Sequence, residues 1–179
     1  TNDTLTSTLT GTITATTGSI STVGGTYAVT TMTANAGGVT IAGDASGTFT
    51  NVNATGSAVR LTTSGNVTLT TVDTGIVAAS GTGDYALGTV TSSTSALVQI
   101  TTGTGDDSVT LNADDKYIVS MGDGADAVVA TDTAAASVIN LGDGADTLTP
   151  TAGAYQGTTD GGDGSDTVVL ATGDYAGDG

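Results

Sequence analysis

Apolar residues recur along most of this chain at short, nearly even intervals. Ile41, Phe49, Val59, Val67, Ile76, Leu87, Val98, Val109, Val119, Val128, Ile139 and Leu148 follow one another at gaps of 8 to 11 residues. Several have a second apolar residue two positions on: Val39/Ile41, Val59/Leu61, Val67/Leu69, Val98/Ile100, Val109/Leu111 and Val119/Met121. A period of two places both side chains on one face of an extended strand. Between the anchors lie Gly, Asn, Asp, Ser and Thr, the residues of turns. Strands of a few residues that repeat about every ten residues are the signature of a chain that winds as a solenoid, each winding too thin to bury a core until the next stacks on it. The fold class expected is all-β: a parallel β-helix or β-roll solenoid with short strands stacked in windings of about 18–20 residues.

Composition agrees with a slender core. The 179 residues include 41 Thr and 28 Gly, but one Phe and no Trp, Cys, His or Glu. An apolar fraction of 37% is too high for a disordered tail, and Val, Ile, Leu and Ala interleaved with Thr suit thin β layers. Helix formers are scarce, and the one helix-friendly stretch, TDTAAAS at 131–137, is too short to matter. The stretch TLTSTLTGTITAT at 4–16 alternates throughout and reads as one longer strand.

The formal charge is −16, from 18 acidic residues against Arg60 and Lys116, and every acidic residue is Asp. A merely solubilising surface would mix in Glu; the shorter side chain points to tight turns. With such a charge no nucleic-acid partner is expected, anionic membranes are poor partners, and divalent cations are good ones. No transmembrane segment is expected, since no run of 18 apolar residues occurs. Four Asp fall in residues 1–100 and fourteen in 101–179, a step that marks a Thr-rich first region and an Asp-rich second one within a single solenoid. The chain opens without a Met and stops at AGDG, so it reads as an excised fragment.

The second region carries a repeat. TGTGDDSV (102–109), MGDGADAV (121–128), LGDGADTL (141–148) and GGDGSDTV (161–168) align on Gly103, Gly122, Gly142 and Gly162, at spacings of 19, 20 and 20. Each copy reads G-x-G-x-D-x-U with U apolar, and it resembles the calcium-binding nonapeptide GGxGxDxUx of RTX β-rolls. The resemblance covers 101–179. It implies turns that hold calcium between successive same-side windings, with oxygen ligands from the aspartates and the glycine-region carbonyls. Calcium takes six to eight oxygens at about 2.3–2.6 Å, so carbonyls must turn inward, and glycine adopts the needed backbone cheaply.

Carried onto this sequence, the resemblance gives about three calcium sites, pairing Asp107 with Asp126, Asp126 with Asp146, and Asp146 with Asp166. The glycines of those turns are Gly103, Gly105, Gly122, Gly124, Gly142, Gly144, Gly161, Gly162 and Gly164. Asp123, Asp143 and Asp163, in the x of GxG, are expected to add oxygens; Thr104 breaks that pattern in the first turn. AGDG at 176–179 looks like the start of a fifth turn. Turns on the other side, 112–117, 131–136 and 152–157, depart from the motif, and only Asp115 there resembles a ligand. SGTGDYAL (80–87) sets Tyr85 where the ligand aspartate belongs and is read as an ordinary turn, as are the lone acids Asp44 and Asp73. Arg60 faces solvent between Val59 and Leu61.

Without His, Cys or Glu, the remaining catalytic option is paired Asp, already claimed by the repeat, so no enzyme is expected. Thr/Ala/Gly/Val/Ser richness, few cations and sparse GDGxD turns resemble bacterial crystalline surface-layer proteins. That implies a secreted structural subunit on the cell surface that self-associates into a lattice. A calcium-rigidified stalk of a large secreted adhesin is the alternative. A smaller one is an ice-binding solenoid, from Thr31-Met32-Thr33, Thr48-Phe49-Thr50 and Thr68-Leu69-Thr70, which would need to share one face of consecutive windings.

Overall fold

In the computed structural model, the described residues are 3–5, 9–55, 57–94, 97–112, 115–131, 137–152 and 157–169. They contain strands and no helix, and the strands form a parallel solenoid. One face is a nine-stranded sheet of β1 (Asp3–Leu5), β3 (Ile20–Val23), β5 (Val39–Gly43), β7 (Ala58–Thr63), β9 (Ile76–Ala79), β11 (Leu97–Thr101), β13 (Lys116–Ser120), β16 (Val138–Asn140) and β19 (Thr158–Asp160), in that order. The opposite face is a second nine-stranded sheet of β2 (Leu9–Ala15), β4 (Thr26–Ala34), β6 (Ser46–Asn53), β8 (Val67–Asp73), β10 (Tyr85–Thr91), β12 (Ser108–Leu111), β15 (Ala127–Thr131), β18 (Thr147–Ala152) and β21 (Thr167–Val168). At one edge, three two-residue strands, β14 (Asp123–Gly124), β17 (Asp143–Gly144) and β20 (Asp163–Gly164), form a ladder of their own.

The register explains the period. Val29, Phe49, Leu69, Leu87, Val109, Val128 and Leu148 stand in one column of the second sheet. Ile20, Val39, Val59 and Val77 stand in a column of the first, which continues through Ile100, Val119 and Ile139. All these side chains are buried. Each is worth about 1.5–3 kcal/mol on full burial when it is a Val, Leu, Ile or Phe, and the columns face each other to make one narrow continuous core. Both sheets run without a break through residue 100. What changes there is strand length: β4, β6, β8 and β10 have 9, 8, 7 and 7 residues, whereas β12 has 4 and β15 has 5.

Three local expectations differ from the structure. The alternation over 4–16 is not one strand, because β1 pairs in the first sheet and β2 in the second. Alternation is the same on both faces of a winding, so it cannot tell one strand from two in different sheets. Ile76 is 42% exposed while its neighbour Val77 is buried; with two adjacent apolar residues the period cannot choose between them, and the register chooses Val77 by aligning it with Val59 and Ile100. One winding is longer than the rest: β10 pairs with β12 at an offset of 22 residues (Ala86 with Ser108), against 18 to 20 in most of its neighbours. The stretches 132–136 and 153–156 and the incipient turn at 176–179 lie outside the described residues.

Candidate metal centre

The motif turns all lie on one edge, where the chain leaves the first sheet and enters the second. Their glycines stack. A methyl group on Gly142 or Gly162 would overlap the carbonyl oxygen of Gly122 or Gly142, one winding back, and on Gly144 or Gly164 that of Gly124 or Gly144. The columns extend upstream: Gly122 and Gly124 stack on the carbonyls of Gly103 and Gly105, and these stack on the carbonyls of Gly81 and Gly83. Two files of main-chain oxygens therefore line this edge. Gly124 and Gly144 also have φ of 145° and 155°, a region that L side chains rarely adopt. Gly103 and Gly105 do not; there the requirement for glycine is space alone. Gly161 is set by its own turn, since a methyl group there would overlap Oδ2 of Asp166.

The motif aspartates form a further file, buried at Asp107, Asp126 and Asp146 and exposed at Asp166. Asp126 Oδ1 accepts the backbone N–H of Asp107 at 2.7 Å, Asp146 Oδ1 that of Asp126 at 2.8 Å, and Asp166 Oδ1 that of Asp146 at 3.2 Å. Asp107 Oδ1 accepts the backbone N–H of Tyr85 at 2.7 Å. Every carboxylate thus reaches back toward the preceding winding. Asp107, Asp126 and Asp146 are 1%, 2% and 1% exposed, yet the Oδ2 atom of each is buried without a hydrogen-bond partner. An orphaned carboxylate oxygen in a dry site costs free energy unless it is protonated or meets a cation. The Thr102 hydroxyl and the Gly103 backbone lie close enough to Asp107 to offset its burial in part.

Electrostatics point the same way. Burial pushes the Asp126 carboxyl up to about 7, with the Asp107 and Asp146 carboxylates adding to the rise against the Asp107 N–H bond. Burial likewise raises Asp107 and Asp146. Acids lifted toward neutrality in a file are acids that lack a counter-charge.

The remaining acids divide clearly. Asp123, Asp143 and Asp163 stack in register at the corner, exposed to solvent rather than turned inward with the buried file. Asp106 and Asp84 form an outer file, Asp84 Oδ1 accepting the Asp106 N–H at 3.2 Å and Asp106 Oδ1 the Ala125 N–H at 2.9 Å. On the other edge, Asp115 is spent on the Ser92 N–H at 3.1 Å and Asp73 on the Ser93 N–H at 2.8 Å. Arg60 is exposed. Among the described residues no three carboxylates converge as a side-chain metal cluster, so a cation at the motif edge would need main-chain oxygens beside the aspartates, and the carbonyls of Gly81, Gly103, Gly122 and Gly144 each already accept one N–H from the next winding. Hard oxygen donors with one buried carboxylate per winding fit calcium. The threonine triplets do not all share a row: Thr48 and Phe49 stand against Thr68 and Leu69, but Thr31-Met32-Thr33 stands against Asn51-Val52-Asn53, three residues further along the strand.

Sequence reasoning set SGTGDYAL (80–87) against the motif but read it as an ordinary turn, and it did not reach Gly65. Gly65, Gly81 and Gly83 belong to the same columns, and the signal that could have found them is the spacing of 22 that sets Gly81 and Gly83 before Gly103 and Gly105, once a longer winding is allowed. Among the described residues no helix is long and apolar enough to cross a membrane. No family model matches this sequence, and no similar curated protein or solved structure was found.

Proposed function

We propose that this chain is a calcium-ordered structural module of a secreted bacterial surface-layer protein, with calcium entering the glycine–aspartate edge to complete the fold and enable assembly. The observation that carries the reading is the file of buried carboxylates at Asp107, Asp126 and Asp146, each with one oxygen bonded to the previous winding and one left without a partner. Fourteen Asp against Lys116 in residues 101–179 repel one another without metal, and short strands such as β12 and β16 bury too little to offset that cost. A ligand that binds only the folded state stabilises it by about 2.7 kcal/mol per site when its free concentration is about 100 times Kd. Sites filling at about 10⁻⁴–10⁻³ M would stay empty in a cytosol and fill outside the cell.

The test is a calcium titration followed by far-UV circular dichroism, with magnesium as control and an Asp126→Ala/Asp146→Ala variant alongside. A cooperative, calcium-selective gain of β signal that the variant lacks is expected; no response to calcium or chelator would overturn the metal reading. Electron microscopy of the calcium-loaded parent protein then reads the assembly: a periodic sheet supports the surface-layer role, and isolated rods would favour the adhesin stalk.

A further inference from the structure

The sequence motif begins at 102–107, but the direction of the side chains places the limit of the cation-holding edge elsewhere. At this corner the residue that opens the second-sheet strand, or directly precedes it, is Tyr85, Asp107, Asp126, Asp146 or Asp166 in successive windings, and each reaches toward the winding before it. Asp126, Asp146 and Asp166 serve the three gaps between motif turns. Asp107 serves a gap one step upstream, between the turn at 80–85 and its own, because its Oδ1 is bonded to the Tyr85 N–H.

We infer that this upstream gap is a further calcium site, held by Asp107 with the carbonyl files that run through Gly81 and Gly83, and that the array ends there because Tyr85 plugs the next gap. The inference rests on the calcium reading above and deepens it. Three observations carry it. Asp107 is 1% exposed and its Oδ2 has no partner, as in the windings that follow. The oxygen files continue unbroken, since methyl groups on Gly103 and Gly105 would overlap the carbonyls of Gly81 and Gly83 as those on Gly142 and Gly144 would overlap Gly122 and Gly124. One winding further back, the place of the carboxylate is filled: Tyr85 is fully buried and its hydroxyl donates to the Thr63 carbonyl at 2.6 Å. A neutral donor satisfies there the kind of oxygen that a cation would bind in the next gap. Asp84 and Asp106 stand on the rim of that gap and add negative charge from the solvent side.

The experiment is an anomalous-diffraction map of crystals of the whole chain grown with terbium in place of calcium, paired with ion counting by native mass spectrometry for wild type and Asp107→Asn. The expected map has a peak between turns 80–85 and 102–107 besides those in the three later gaps, and Asp107→Asn loses that peak and binds fewer ions than wild type, while the peaks held by Asp146 and Asp166 remain. Peaks in the later gaps with none at Asp107, or a peak there that survives Asp107→Asn, would overturn this inference and leave the calcium reading intact. No ion anywhere in the wild type would overturn both. The wild-type map decides the matter even if the variant fails to fold.

Discussion

Asp126 Oδ1 accepts the backbone N–H of Asp107 at 2.7 Å, while Oδ2 of the same carboxylate is buried with no partner. One oxygen thus cross-links two windings and the other leaves a charge to be neutralised. That division of labour makes the two functions separable by mutation.

The double substitution Asp126→Asn/Asp146→Asn keeps an acceptor for each preceding N–H and removes both charges. In chelator this double variant is expected to melt at or above the wild-type temperature, since the file no longer repels itself. In calcium it is expected to lose the wild-type gain, which is about 2.7 kcal/mol per site at about 100-fold excess over Kd. Thermal unfolding followed by circular dichroism with and without calcium checks both halves; a variant that still gains stability from calcium would show that these carboxylates do not bind it.

Without metal, acidity should stabilise this protein. The folded-state Asp126 carboxyl lies at about 7, above an unfolded aspartate at about 3.9. Between those values the folded state holds more protons than the unfolded one, so stability falls as pH rises through the window. Asp107 and Asp146 are shifted in the same direction and add to the slope. Urea unfolding in chelator is expected to give a higher midpoint near about pH 5 than near about pH 8; a midpoint that rises with pH would contradict the buried, uncompensated file.

Gly144→Ala should break the edge. It places a methyl group onto the Gly124 carbonyl and demands φ of 155° from an L residue, so a loss of more than about 1 kcal/mol is expected. Gly83→Ala meets only the steric half of that penalty, against the Gly65 carbonyl, with no positive φ. Denaturation midpoints should rank wild type above Gly83→Ala and Gly83→Ala above Gly144→Ala.

Leu69→Ala removes a fully buried side chain from the core column between Phe49 and Leu87, well away from the motif turns. A cost of about 2–5 kcal/mol is expected, of equal size in calcium and in chelator. A cost that changes with calcium would mean that the metal edge and the Thr-rich half of the solenoid unfold as separate units.

The sequence by itself determined the period, and with it the parallel solenoid. Anchors at gaps of 8 to 11 residues can bury their side chains only by stacking windings, and the paired positions such as Val59 and Leu61 both point inward as a period of two demands. It also determined which edge is acidic, because Asp107, Asp126, Asp146 and Asp166 recur at the winding length. Only the tertiary structure decided between Ile76 and Val77, split 4–16 between two sheets, and joined Gly81 and Gly83 to the glycine columns. It alone showed that each aspartate reaches back one winding and that the Tyr85 hydroxyl bonds to the Thr63 carbonyl, one winding further back still. The physical reason is range. Inward and outward are set by alternation along one strand, a local property. Which neighbour a side chain bonds to depends on the register between windings 17 to 23 residues apart, and that is set by packing the whole stack at once.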